Sequence, residues 1–194
     1  MSTKSIEILT EEFNKLPTIG KKTAQRLAFA VLEMEREEVE VFAKALIEVK
    51  DKVRKCSVCG NFSEEEVCVI CSDGSRDHQT ICVVEDSKDI SALERAKSYK
   101  GIYHVLHGKI APLSGKSLDQ LNIQTLVERV DKNGVKEVIM ALNPDLEGET
   151  TSMYLTKLLK NFNIIAIATL GSKTFGATGT NTVILFLQKF NEPP

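Results

Sequence analysis

Apolar residues recur along this chain with two different periods, and the change from one to the other divides it. In the first quarter the step is three or four residues. Ile6, Leu9 and Phe13 predict a short helix over 5–13, ended by Pro17. Leu27 and Val31, with Ala24 and Ala28 small enough for close contact, predict a second helix from 21 to 33 that packs on the first. Val39, Phe42, Leu46, Val49 and Val53 predict a third over 36–53, supported by Glu40–Lys44 and Glu48–Lys52 pairs. Its stripe suits packing or contact with another subunit. From Ile81 the pattern changes to short apolar runs separated by helical segments. Strands are expected at 81–84, 102–106, 137–142 and 164–170, with a final one suited to 183–187. Helices are expected at 88–97, 119–132 and 148–160, and a loop at 107–118 holding Gly108, Pro112 and Gly115. Such alternation implies a mostly parallel sheet covered by helices on both faces. The fold class expected is therefore α/β with a helical N-terminal domain.

Between the two regimes stands Cys56-Ser-Val-Cys59, then eight residues, then Cys68-Val-Ile-Cys71. Two such pairs this close fold back and present four thiolates to one tetrahedral ion, which suits Zn²⁺. The site is closed, so one structural zinc per chain is expected, with no chemistry of its own. The fifth cysteine, Cys82, lies in an apolar run and reads as a buried, inert thiol. The organisation expected is 1–55 helical, 56–79 zinc knuckle, 80–175 the α/β domain, and 176–194 a C-terminal segment.

Composition narrows the partners. The formal net charge is −2, so nucleic-acid binding has to come from a local basic patch. The N-terminus has no apolar signal core, and no apolar run approaches a membrane span. A reduced cytosolic compartment and no membrane partner are expected.

Two stretches carry candidate binding chemistry. In Leu16-Pro17-Thr18-Ile19-Gly20-Lys21-Lys22, Gly20 allows a tight turn and close approach of another backbone. Backbone N–H groups at the start of the second helix can hold a phosphate oxygen, helped by the helix dipole, with Lys21, Lys22 and Arg26 beside them. Such contacts read no bases, so DNA binding would be sequence-independent and salt-sensitive. An ordinary helical hairpin with a solvated basic edge is equally open at this point. In the second stretch, the carboxyl ends of two strands deliver Glu85 and the run Asn143-Pro144-Asp145-Leu146-Glu147-Gly148-Glu149 to one edge. Clustered carboxylates there can hold Mg²⁺. Glu147 and Glu149 equally suit the first turn of a helix. Gly115-Lys116-Ser117 resembles the end of a P-loop, but position 110 is Ile where that motif needs glycine, so nucleotide hydrolysis is not expected.

The segments LPTIGKKTAQRLAF, CSVCGNF, CVIC, ICVVED, YHVLHGKIAPLSG and ALNPDLEGE, in this order over roughly 5–160, resemble the RecR family of bacterial recombination mediators. The resemblance implies a helix-hairpin-helix element, in which Thr18 stands where the first glycine of the pattern usually is. It also implies a four-cysteine zinc finger and a Toprim domain, a type shared with topoisomerases and bacterial primases. The Toprim enzymes use a strand-end Glu followed by Asp-x-Asp-x-Glu; Glu85, Asp145 and Glu147 match, while Asn143 replaces the first Asp. RecR-like proteins are regarded as non-enzymatic, and the loss of one carboxylate agrees with that. Asp145, often neutral in the family, leaves room for weak Mg²⁺ binding. The resemblance implies a ring-forming tetrameric DNA clamp that acts with RecO-like and RecF-like partners to load RecA on single-stranded DNA. Lys21, Lys22 and Arg26 would hold phosphates. Glu85, Asp145 and Glu147 would form an acidic rim for a basic partner. The alternative is a Mg²⁺-dependent Toprim nuclease or topoisomerase-like enzyme using those same acids. After the fourth strand the family typically carries an Arg and a Gly-Leu-Pro-x-Gly-Gly-like turn. Here the chain reads Ala168-Thr169-Leu170-Gly171-Ser172-Lys173, so subunit contacts of the family tail do not carry over.

Overall fold

The computed structural model describes residues 3–111, 118–132, 134–159, 162–170 and 182–189. The chain divides into two compact units, 1–52 and 53–194.

The first unit is helical. Helix α1 spans Lys4–Asn14, α2 Lys21–Glu33 and α3 Arg36–Lys52. Helices α1 and α2 pack together, with Ala24 and Ala28 buried and Ile6, Leu9, Phe13, Leu27 and Val31 half-buried around them. The small alanines let the two backbones approach, as their spacing predicts. The turn between the helices differs from expectation. Its left-handed residue is Thr18, at φ 67°, whereas Gly20 is extended at φ −79° and caps α2. A side chain at Gly20 would meet nothing within 4 Å, so the glycine is not demanded by the hairpin's own packing. Helix α3 buries none of its residues within the unit, and Val41, Leu46, Ile47 and Val49 are each more than half exposed.

The second unit begins with the knuckle. A short antiparallel pair, β1 (Arg54–Lys55) with β2 (Phe62–Ser63), and a one-turn helix α4 (Val69–Ser72) enclose the cysteines. Then follow β3 (Asp77–Val84), α5 (Ser87–Arg95), β4 (Gly101–Val105), α6 (Ile123–Lys132), β5 (Glu137–Ala141), α7 (Leu146–Leu158), β6 (Phe162–Leu170) and β7 (Thr182–Lys189). The five long strands form one sheet in the order β4-β3-β5-β7-β6. Strand β3 is parallel to β4 and β5, while β7 runs antiparallel to both β5 and β6. Four strands therefore share a direction and the last inserts against them. Alternate residues of β3 serve opposite faces. Ile81 and Val83 join Leu126 and Val130 of α6 and Leu155 of α7, whereas Cys82 and Val84 join Ile90 of α5.

Polar residues explain most boundary shifts. Helix α5 starts at Ser87 because Asp86 and Asp89 form a reciprocal capping box. Helix α7 starts two residues earlier than expected because Asp145 is its N-cap, accepting from Gly148 N at 2.8 Å. The helix expected over 119–132 is interrupted: a single 3-10 turn at Leu118–Gln120 precedes α6. Asn122, in the gap, is recruited by strand β4, its N–H bonding Leu106 O at 3.0 Å and its amide Val105 O at 3.1 Å. The Gly115-Lys116-Ser117 segment and the tail residues 176–181 and 190–194 lie outside the described residues.

Candidate zinc centre, acidic strand-end rim and basic hairpin

The four knuckle cysteines converge: their Sγ atoms all lie within 4.8 Å of one another. A tetrahedral zinc with bonds of about 2.3 Å needs sulfurs about 3.8 Å apart, and Cys59 and Cys68 are already 3.6 Å apart. Main-chain N–H groups point at the sulfurs, Cys68 N at Cys56 Sγ (3.3 Å) and Asn61 N at Cys59 Sγ (3.4 Å). Burial pushes the Cys56 thiol up, but N–H groups of Cys68, Cys59 and Val58 outweigh it and bring it to about 7. The Cys59 thiol is pushed up by its bond with Cys71 and by burial. Main-chain donors thus favour the Cys56 thiolate while burial and the neighbouring sulfurs oppose ionisation of Cys59 and Cys68, a conflict that a shared cation would relieve. The turn is tight: Gly60 takes φ 77°, and a Cβ there would press on Asn122 Nδ2 at 2.8 Å. Cys82 stands apart, 5% exposed, its thiol raised to about 12 by burial.

The knuckle is welded to the open edge of the sheet. Val105 N donates to Cys59 O at 2.8 Å. Buried Arg129 of α6, 5% exposed, donates through Nη1 to Tyr103 O (2.6 Å) and through Nη2 to Cys71 Sγ (3.9 Å). Arg76, paired with Glu94, donates to Gly101 O at 3.2 Å. Edge groups of β4 that would otherwise solicit another strand are thus occupied. No carboxylate pairs with Arg129 among the described residues; its charge faces Cys71, a sulfur that zinc would hold as thiolate.

Strands β3 and β5 are neighbours and parallel, so Glu85 and the Asn143–Glu149 run do meet. Asn143 Nδ2 donates to Glu85 Oε2 at 2.6 Å. Gly148 is required here, because a Cβ would collide with the Asn143 carbonyl oxygen. The rim also contains a residue that sequence reasoning missed. Lys109, after β4, bonds Asp145 Oδ2 and lies 3.8 Å from both Glu85 Oε2 and Glu147 Oε2. Burial pushes the Glu85 carboxyl up despite Lys109 and Asn143. Burial also works against the Asp145 carboxylate, but the bond from Lys109 and the N–H of Gly148 hold it below the usual range. Asp145 and Glu147 are outward, with side chains 50% and 43% exposed, and Glu85 sits behind them at 19%. No local signal marked Lys109, which is 24 residues from Glu85 and 36 from Asp145 in a loop.

In the first unit, Lys21, Lys22 and Arg26 are all exposed. Gly20 offers no side-chain cap, so the first-turn N–H groups of α2 stay open. Lys22 and Arg26 share a stripe four residues apart and line one shallow groove with Gln25, Phe29, Ala30 and Glu33; Lys21 is not among its lining residues.

Comparison with known proteins matches residues 6–50 to the RecR helix-hairpin-helix, 53–73 to the RecR four-cysteine zinc finger domain and 79–168 to the Toprim domain. Recombination protein RecR of Staphylococcus haemolyticus is 52% identical over 159 residues, 82% of this chain and 80% of that one. The chain belongs to the RecR family. Recombination protein RecR of Staphylococcus aureus strain JH9 is 51% identical over the same shares. Superposition on a solved rRNA methylase from Escherichia coli, covering 96% of this chain and 91% of that one, gives a TM-score of 0.24 at 11% identity, too low to inform the fold. The RecR zinc finger coincides with the converged cysteines, so Cys56, Cys59, Cys68 and Cys71 are the ligands of a structural zinc. The RecR helix-hairpin-helix match takes in α1, α2 and most of α3, and Thr18 holds the left-handed position in the turn between α1 and α2. Among the described residues no helix is long and apolar enough to cross a membrane.

Proposed function

We propose that this RecR-family chain is a DNA-binding mediator of recombinational repair, a ring-forming adaptor rather than an enzyme. The observation that carries the reading is the exposed, uncapped N-terminus of α2 flanked by Lys21, Lys22 and Arg26. Three cations and open N–H groups suit phosphate oxygens and carry no base information. One such site is weak, and a homotetrameric ring would multiply it by avidity. The unburied apolar residues of α3 supply a surface on which copies of the chain can associate. On the other unit, Asp145 and Glu147 are the accessible part of an acidic rim suited to a basic RecO-like partner, with a RecF-like protein in the same assembly. The task of that assembly would be loading RecA on single-stranded DNA in the bacterial cytosol.

The test is DNA retention and solution mass, with and without DNA, for wild type and the Lys21→Glu/Lys22→Glu double variant. Retention should fall in the variant, and its dependence on log salt should flatten by about 2. Unchanged retention would sink the DNA reading and leave a zinc-stabilised protein-interaction module. A Mg²⁺-dependent nuclease or relaxing enzyme predicts metal-dependent plasmid cleavage or relaxation, lost in Glu147→Gln. Lys109 among the acids, and Asn143 in place of an Asp, count against that alternative.

A further inference from the structure

Toprim folds gather strand-end acids to hold a divalent ion, and this rim gathers three of them. Mg²⁺ demands oxygen ligands at about 2.0–2.1 Å in a near-octahedral array. The inward positions of this rim do not offer that. The Lys109 ammonium reaches Glu85, Asp145 and Glu147 at once. The Asn143 amide turns its N–H side, a donor and not a ligand, to Glu85. Donors already face the carboxylate oxygens that an ion would need.

Lys109 is not a wandering surface lysine. Its side chain is only 17% exposed. Its segment is clamped on both sides: Gly108 N donates to Glu85 O at 3.1 Å, and Ile110 N donates to Thr151 Oγ1 of α7 at 2.8 Å. Thr151 is itself buried and bonded to Glu147 O at 2.6 Å. The chain thus delivers the ammonium from a third element to a point that β3 and α7 have already fixed. We infer that Lys109 is the resident cation of this rim: it stands where a divalent ion would, excludes Mg²⁺, and masks a latent divalent-cation site made by Glu85, Asp145 and Glu147. The rim is therefore a partly neutralised surface, one ammonium against three carboxylates, and stays acidic whether or not the chain binds DNA.

The test uses the full, zinc-loaded chain and Mn²⁺ as a paramagnetic probe. Broadening of amide resonances around Glu85 and Glu147 separates rim binding from binding at the knuckle. Wild type should show no saturable broadening there up to about 1 mM Mn²⁺, the range of weak oxygen-ligand sites. Lys109→Met, similar in length and uncharged, should bind at the rim at least about tenfold more tightly, equivalent to about 1.4 kcal/mol. Lys109→Met/Glu147→Gln should return to wild-type behaviour. The inference is overturned if wild type binds Mn²⁺ at the rim as tightly as Lys109→Met, or if folded Lys109→Met stays indifferent to it. Wild type alone also decides. Burial works against the Lys109 ammonium, but its bond to Asp145 and the charge of Glu85 outweigh that, so it should titrate above the ordinary lysine range. An ordinary lysine titration refutes the assignment even if the variants fail to fold.

Discussion

Replacing Arg129 by methionine should uncouple the zinc knuckle from the sheet. The side chain is 5% exposed and meets two partners, Tyr103 O at 2.6 Å and Cys71 Sγ at 3.9 Å. Methionine fills much of the same space without charge. Two terms oppose each other. Removing a buried cation relieves its desolvation, which by itself makes such replacements neutral or favourable. Against that, the Tyr103 carbonyl loses its donor, a cost of about 1–3 kcal/mol, and the four-thiolate zinc site, net −2, loses its neighbouring charge. At 3.9 Å and an effective dielectric of about 20, one unit charge against another is worth about 4 kcal/mol. That sets a ceiling, since the thiolate charge is spread over four sulfurs. Loss of an outer partner of a metal ligand typically weakens the metal by about 10–100-fold, or 1.4–2.7 kcal/mol, which lies under it. The coupling must be reciprocal: zinc should stabilise wild type more than Arg129→Met by the same amount. The assay is competition for zinc against a chromogenic chelator, paired with urea unfolding of the zinc-loaded proteins. Zinc affinity within twofold of wild type, together with an unfolding free energy within about 0.5 kcal/mol, would refute the coupling.

Two further outcomes follow from local geometry. Thr18→Gly should stabilise the N-terminal unit by about 1 kcal/mol, because a β-branched residue at φ 67° is strained and glycine is not; a lower midpoint in thermal unfolding would contradict this. His104 is fully buried, with Nε2 donating to Asn122 O at 2.7 Å, and burial lowers it to about 4. Its folded value lies below its unfolded one near 6.5, so the unfolded chain takes the proton first as pH falls. Stability is then complete above about pH 6.5 and should drop by about 2 kcal/mol between pH 7 and 5 through this group. His104→Gln, measured by urea unfolding at both values, should remove that part of the slope; equal slopes would refute it.

Local pattern carries far in this molecule. The α1 and α2 stripes, the four-cysteine spacing and the alternation of strands with helices are set by side-chain periodicity and by a ligand set that a few residues contain. Strand-end acids are also readable, because parallel neighbours must emerge at one edge. Capping asparagines and aspartates are harder to read: Asn122 breaks a helix that periodicity continues, since its amide is worth more at the end of β4. Strand β7 could be named a strand but not placed between β5 and β6.

The sequence by itself determined the elements and the zinc ligands, because those depend on spacing within a segment, and which acids share a rim, because parallel strands end at one edge. Only the tertiary structure decided how charge is balanced. Lys109 answers acids 24 and 36 positions away, and Arg129 answers a cysteine 58 positions away. A buried or crowded charge must find its partner in space, and distance along the chain says nothing about which one it finds.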